Sequence, residues 1–307
     1  MQICLYSGVF FPSIGGIEQV SYTLANYWVK QGHYVVVVTD TPDNGQNIKS
    51  YNFSVIRRPS PNIWKSILSS SDVIVSNGYS FRYLITWLLS RKPFVWIHQT
   101  YIPAIVQPIQ NIQDSFRALL GRIILPLAAC NVYISGAVER QIGGIKGVII
   151  YNPVETCFRK LPIAIKNDFA FFGRMIPAKG VDILLKALAI CKQKNKIYRL
   201  DLYGEGSSLN QLRELAQTLG VASQLSWYPF VQEEALVEAM NAAGAVIVPS
   251  QWAEPMGVVA VEAMACGKVV IGSRRGGLGE VLESYGMTFE NGDAEELAKC
   301  MIEVREN

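Results

Sequence analysis

Two glutamates eight residues apart, Glu254 and Glu262, fall in the segment Val248-Pro249-Ser250-Gln251-Trp252-Ala253-Glu254-Pro255-Met256-Gly257-Val258-Val259-Ala260-Val261-Glu262. The residues between them are almost all apolar, so burying Glu262 there is expensive unless something hydrogen-bonds to it. A strand ending at Pro249 would lead into a loop that exposes Glu254. Pro255 suits a first helical turn, which places a helix start near Pro255-Met256. The free N–H groups of Met256, Gly257 and Val258 would then form an anion cradle.

A second group is Phe171-Phe172-Gly173-Arg174-Met175-Ile176-Pro177-Ala178-Lys179-Gly180, where a buried strand delivers an arginine and, five residues later, a lysine just before a helix. Two cations at the carboxyl edge of a sheet suit a diphosphate; a solvated basic loop is the plainer reading of the same residues. Tyr203-Gly204-Glu205-Gly206 repeats the strand and glycine-loop arrangement one unit later. Gly15-Gly16, before a helix beginning near Ile17-Glu18, would allow an anion to approach free backbone N–H groups closely, though a lone Gly-Gly pair is more often only a turn. If Glu254 to Glu262 were all helical, the rise between them would be ~12 Å at ~1.5 Å per residue, roughly a hexose-to-ribose span across a diphosphate. The P-loop pattern G-x-x-x-x-G-K-[ST] is absent, and Leu209 stands where a dinucleotide fingerprint needs its third glycine.

The elements that must carry these residues are short β-branched or aromatic runs alternating with helical patterns. Ile3–Tyr6, Tyr34–Thr39, Val73–Ser76, Phe94–Ile97, Val132–Ser135 and Val148–Tyr151 read as strands buried on both faces, with helices such as Glu18–Gln31 and Phe81–Leu89 between them. After a proline-punctuated stretch the pattern restarts: strands at Phe169–Phe172, Arg199–Tyr203, Gln224–Tyr228, Ala245–Val248 and Val269–Gly272, helices near Val181–Lys192, Leu209–Leu219, Glu233–Ala242, Val258–Cys266 and Glu295–Glu303. We therefore expect an α/β chain of two doubly wound, Rossmann-like domains, 1–155 and 156–307, joined by a linker at about 152–167 and facing a central cleft.

The chain has 307 residues, 50% hydrophobic and 17% charged, with a net charge of +3. That composition excludes disorder and coiled coil, and without a concentrated basic and aromatic face it argues against nucleic-acid binding. The six cysteines are never closer than 27 residues, which excludes a local zinc knuckle or CxxC site. The start Met1-Gln2-Ile3-Cys4 lacks the form of a signal peptide, and no window of 18 apolar residues occurs. The expected location is cytoplasmic.

Taken in order, Gly15-Gly16, Gly173-Arg174 with Lys179-Gly180, Ser250 to Glu262, and Ser273-Arg274-Arg275-Gly276-Gly277-Leu278-Gly279-Glu280 resemble glycosyltransferase family 4, retaining transferases of GT-B fold. The match runs from about residue 1 to 300 and is densest in 169–282. Gly15-Gly16, His98-Gln99 and Asn152-Pro153-Val154 are similar to the family's phosphate loop, sugar-side histidine and interdomain joint. Glu155 stands where family members often show aspartate.

The resemblance implies a UDP- or GDP-sugar donor, no cofactor and no metal. Arg174 and Lys179 would neutralise the diphosphate, with the N–H groups of Gly16 and of the helix after Pro255. Glu254 would hold hydroxyls of the transferred sugar, Glu262 those of the ribose, and His98 would sit near the sugar's 6-position. Gly15, Gly173, Gly204, Ser250, Met256, Gly257 and Val258 would line the donor, and backbone from Tyr228 to Val231 would lie near the base. The first domain would bind a saccharide or lipid-linked acceptor, as in bacterial surface polysaccharide, lipopolysaccharide or glycolipid synthesis. Its basic residues Arg57, Arg58, Lys65, Arg82, Arg91, Lys92, Arg117 and Arg122 lie in a mildly basic half. The stretch Phe116–Leu125 reads either as a core helix or as a peripheral contact with the inner membrane face. The chain stops soon after Glu295–Glu303, where relatives carry a further helix crossing back to the first domain, so that segment is short or missing. A nucleotide-sugar epimerase and a non-catalytic nucleotide-sugar-binding subunit are the alternatives on the same architecture.

Overall fold

A computed structural model describes residues 1–13, 15–43, 50–78, 87, 89–101, 123–143 and 145–306. The chain divides into two compact units, Met1–Pro153 and Val154–Asn307. Most of the expected helix Phe81–Leu89 and of the stretch Phe116–Leu125 lies outside the described residues, as do Arg82, Arg117 and Arg122.

The first unit runs β1 (Gln2–Ser7), α1 (Gly16–Lys30), β2 (Tyr34–Thr39), β3 (Ser54–Arg57), α2 (Pro61–Ser70), β4 (Val73–Asn77), β5 (Phe94–His98), β6 (Cys130–Tyr133), α3 (Gly136–Ile142) and β7 (Val148–Ile149). Its described strands form one parallel sheet in the order β3-β2-β1-β4-β5-β6-β7. Continuous apolar runs such as Val35–Val38 are buried on both faces, as a parallel sheet covered by helices requires. The strand expected at Val132–Ser135 begins two residues earlier, because Asn131 is a buried polar residue inside the strand.

The second unit runs β8 (Asn167–Phe172), α4 (Val181–Gln193), β9 (Leu200–Tyr203), α5 (Leu209–Thr218), β10 (Leu225–Tyr228), α6 (Glu233–Ala242), β11 (Ala243–Val248), α7 (Val258–Ala265), β12 (Val269–Ser273), α8 (Gly277–Leu282), β13 (Met287–Phe289) and α9 (Ala294–Glu306). The strand order is β10-β9-β8-β11-β12-β13, again all parallel. Alternation along the strands divides the core. Phe169, Phe171, Leu200, Leu202 and Ile247 pack against Leu184, Leu188, Leu297 and Met301 of α4 and α9. Ala170, Phe172, Val246 and Val248 pack on the other face against Val237 of α6, Ala263 of α7 and Leu282 of α8.

The pattern does not announce β3, β13, α2, α3 or α8. β3 and β13 are edge strands of four and three residues. α8 contains Gly277 and Gly279, poor helix formers, and is held by packing: a Cβ on Gly272 of β12 would lie 2.4 Å from Leu282 Cδ1.

Candidate functional site at the carboxyl edge of the second sheet

In the second sheet the chain leaves β8 toward β9 on one side, while β11 lies on the other, so the strand order reverses between β8 and β11. Outside the strand ends at such a reversal is the usual ligand position in these sheets. The loops that follow β8, β9, β11 and β12 contain Arg174, Lys179, Gly204, Ser250, Glu254 and Gly276.

These loops bond backbone to backbone. Gly173 N donates to Tyr203 O at 3.0 Å, Met175 N to Glu205 O at 2.8 Å, Gln251 N to Ala178 O at 2.9 Å and Gly277 N to Glu254 O at 2.7 Å. The approach is close enough to demand glycine. A Cβ on Gly204 would stand 1.9 Å from Gly173 O, and one on Gly180, whose φ is +68°, 1.9 Å from Pro249 O.

Three donors converge on Glu254 Oε1: Lys179 Nζ at 2.5 Å, Ser250 Oγ at 2.6 Å and Trp252 Nε1 at 3.1 Å. Glu254 is 6% exposed, while the indole ring of Trp252 remains partly open to solvent. The charge-assisted bond and burial fix this carboxylate in one orientation. Arg174 follows the end of β8 at Phe172 by two residues. It is exposed, and its guanidinium has no hydrogen-bond or ion-pair partner among the described residues.

Glu262 lies apart from that cluster, in the middle of α7. It is 9% exposed, and its carboxyl has no hydrogen-bond or ion-pair partner among the described residues. Burial first, and the nearby charge of Glu155 second, push it up to about 8. The helix begins at Val258, with Gly257 as its left-handed N-cap, rather than near Pro255-Met256. The N–H groups left without partners inside the helix are therefore those of Gly257, Val258 and Val259, one residue later than expected. Because Glu254 to Val258 is not helical, the ~12 Å rise does not apply.

Toward the far edge of the sheet, Phe172, Tyr203 and Tyr228 stack across β8, β9 and β10, with ring centroids 4.8 Å and 4.5 Å apart. Tyr228 is exposed, and Val231 packs against the core that contains Val237 of α6. Arg274 and Arg275 turn away to Glu290 and Glu296.

In the first unit, Gly15 is the N-cap and Gly16 the first residue of α1, and Glu18 is buried beside them. A Cβ on Gly15 would lie 2.8 Å from Glu18 Oε2. His98 ends β5, fully buried, with Nε2 2.9 Å from Asn131 Oδ1 and its ring stacked 4.8 Å from Tyr133. Burial pushes the imidazole down to about 4, against the opposing effect of its hydrogen bond to Asn131 Oδ1. It is thus neutral at pH 7. Gln99 and Asn152 exchange two amide hydrogen bonds, at 2.9 Å and 2.8 Å.

Two contributors carry no signal in the motif pattern. Trp252 reaches Glu254 through its indole N–H. Asn291, just after β13, donates to Ser250 O at 2.9 Å and Trp252 O at 3.4 Å and accepts from Arg275 N at 3.0 Å, tying two loops together. An Asn-Gly turn 41 residues from Ser250 gives no local indication of that contact. Among the described residues, no group of three or more His, Cys, Asp or Glu is placed to hold a metal ion, and no helix is long and apolar enough to cross a membrane.

Comparison with known proteins gives two family models: Glycosyltransferase Family 4 over residues 14–157 and Glycosyl transferases group 1 over residues 155–307. An uncharacterized glycosyltransferase of Methanocaldococcus jannaschii is 25% identical over 92% of this chain and 83% of its own length. A D-inositol 3-phosphate glycosyltransferase of Rhodococcus jostii is 40% identical, but over 36% of this chain and 25% of its own length. Among solved structures, Anabaena HepE in complex with UDP has a TM-score of 0.84 at 22% identity, covering 100% of this chain and 90% of that one. WaaG, a glycosyltransferase involved in lipopolysaccharide biosynthesis, has a TM-score of 0.73 at 17% identity, with the same coverages.

Proposed function

The chain belongs to the family 4 type of glycosyltransferase, with a two-domain GT-B fold, and on that premise we propose that it transfers a hexose from a UDP- or GDP-sugar to a saccharide or lipid-linked acceptor with retention of configuration. The observation that carries this reading is the pair of carboxyl groups in the second unit. Glu254 is clamped by Lys179, Ser250 and Trp252, and Glu262 is buried without a protein partner among the described residues. A buried carboxyl left unpaired is costly, and the vicinal hydroxyls of a ribose would satisfy it. HepE supports a nucleotide-sugar donor, having been crystallised with UDP and with UDP-glucose.

In this reading the diphosphate lies against Arg174, Lys179 and the N–H groups at the start of α7, and Glu254 holds hydroxyls of the transferred sugar. The bond from the anomeric carbon to the phosphate oxygen breaks through an oxocarbenium-like pair. The acceptor oxygen bonds to the same face, and its proton passes to the departing phosphate oxygen. Arg174, Lys179 and the helix dipole stabilise the charge that develops there. These cations supply the neutralisation that a metal provides elsewhere, so the proposed reaction uses no metal and no cofactor. His98, neutral and enclosed, would act by shaping the wall near the sugar. The acceptor side is assigned to the first domain, with a bacterial surface polysaccharide or glycolipid as product, at the inner face of the membrane.

Calorimetric titration with UDP, GDP, ADP and their sugar conjugates tests the donor assignment, with Glu262→Ala and Lys179→Ala as controls. Selective binding of one nucleotide, weakened by both substitutions, is expected. Absence of binding by every nucleotide refutes the reading. Retention is then checked by following the anomeric proton of the product by NMR.

A further inference from the structure

A cavity of about 630 Å³ lies on one face of the second sheet, bordered by β9, β10 and α6 and reaching the amino-terminal side of the strands, where Asn167, Arg199 and Gln224 stand. Its origin is in the strand pattern. Leu200 and Leu202 of β9 enter the core, and Leu225 and Trp227 of β10 pack against it. The alternate residues Asp201, Tyr203, Ser226 and Tyr228 therefore face the other way, and all are polar. The helix on that side, α6, turns Ala235, Glu238, Ala239 and Ala242 toward them. Those positions recur at helical spacing on one face, and three alanines there leave the space unfilled.

The floor of the cavity contains polar groups taken out of water. Asp201, Asn167 and Gln224 are 9%, 5% and 8% exposed. Asn167 Nδ2 donates to Asp201 Oδ2 at 2.6 Å and Tyr198 N donates to Gln224 Oε1 at 3.3 Å. The remaining atoms of the two amides, Asn167 Oδ1 and Gln224 Nε2, are buried with no hydrogen-bond partner. Both atoms are closed off from solvent, so they lie in the wall behind the cavity, and the groups an occupant would meet are the more exposed ones of the lining, Ser226, Tyr228, Arg199 and Glu238 among them.

We propose that this cavity is a second binding site, for a neutral oligosaccharide of two or three hexoses. The lining selects that chemistry by elimination. The lining carries both signs of charge, Asp201 and Glu238 against Lys166 and Arg199, so it gives neither an anion nor a cation a pocket of complementary charge. A wholly apolar ligand would take these charged and polar groups out of water without bonding to them. Sugar hydroxyls both donate and accept, so they match a mixture of carboxylates, cations and a serine hydroxyl, and the exposed Tyr228 ring offers a face for the apolar side of a pyranose. The cavity runs from Asn167, Arg199 and Gln224 at the amino-terminal side to Tyr203 and Tyr228 at the ends of β9 and β10, so it meets the donor edge only at its Tyr228 end and would hold a saccharide beside the donor rather than in its place.

The test is saturation-transfer NMR and calorimetry with maltotriose, cellotriose and mannotriose, on the full chain, with and without saturating UDP. Ser226→Tyr and Ala235→Trp, both replacing exposed residues, fill the cavity. We expect saturable binding of at least one trisaccharide, unchanged by UDP and weakened tenfold or more by each substitution. Circular dichroism and nucleotide binding of both variants should match the wild type. Binding of none of the three, binding displaced by UDP, or binding that survives both substitutions overturns the proposal. Nucleotide binding measured on the same samples separates that failure from a failure of the donor assignment.

Discussion

Replacing Glu262 by glutamine should make the second domain more stable and the protein a poorer nucleotide binder. In the folded chain burial raises this carboxyl from 4.5 to about 8. Between those values the folded state holds a proton that the unfolded chain has released. The contribution of Glu262 to stability is therefore complete below pH 4.5 and is lost as the pH rises through 8. A shift of that size corresponds to ~5 kcal/mol above pH 8 and ~3 kcal/mol at pH 7. Glutamine has the same shape and no proton to lose. Urea unfolding of both proteins, followed by tryptophan fluorescence at pH 5 and at pH 8.5, reads the effect, because titrating groups that do not interact with Glu262 cancel in the double difference. The variant should gain ~3–5 kcal/mol on the wild type between the two pH values, while its nucleotide affinity falls. Hydroxyls bonding to Glu262 favour its ionised form, so nucleotide binding to the wild type at pH 7 should release a proton. Calorimetry in buffers of different ionisation enthalpy detects that release. Parallel pH profiles for the two proteins, or unaltered nucleotide affinity in the variant, refute the reasoning.

Lys179→Ala and Arg174→Ala should each lower kcat by ~10²–10³, the scale for losing one pre-organised charge-stabilising group; near-wild-type turnover in both would remove them from the proposed mechanism. His98 titrates in the opposite sense to Glu262: burial lowers it from 6.5 to about 4, so its share of stability is present above pH 6.5 and lost as the pH falls through 4. His98→Gln should reduce the acid sensitivity of the first domain by up to ~3 kcal/mol, read from urea unfolding at pH 7 and pH 4.5. Gly180→Ala should destabilise the second domain by ~3 kcal/mol or more, since its φ is +68° and the new Cβ would stand 1.9 Å from Pro249 O; urea unfolding measures the loss. Asn291→Ala should weaken binding of the sugar conjugate more than that of the bare nucleotide in calorimetry, because it loosens the loop that carries Glu254.

Much of this arrangement is legible in the sequence because strand and helix leave periodic traces. Tyr34–Thr39 and Glu233–Ala242 fall where their patterns place them. Edge strands leave weaker traces: Ser54–Arg57 is partly exposed and too short for a period to establish itself. The start of α7 departs from its expected place because Pro255 is compatible with a first turn, whereas the left-handed conformation of Gly257 sets the actual cap. Residue types and spacing single out Glu254 and Glu262, but the bonds that orient Glu254 include one from Lys179, 75 residues away in sequence. The tie through Asn291 depends on strand order, which no local pattern encodes.

The backbone-to-backbone bonding of the loops at the carboxyl edge has a consequence for how this scaffold can diversify. Insertions in the loops after β8, β9 or β11 would break main-chain bonds to the neighbouring loop, so their lengths are locked to one another. The side chains at this edge are tied into the same frame: Gln251 donates to Asp182 and Trp252 to Glu254. Single side-chain substitutions at this edge each remove one such bond, whereas loop grafting there removes several main-chain bonds at once and should cost far more folded protein.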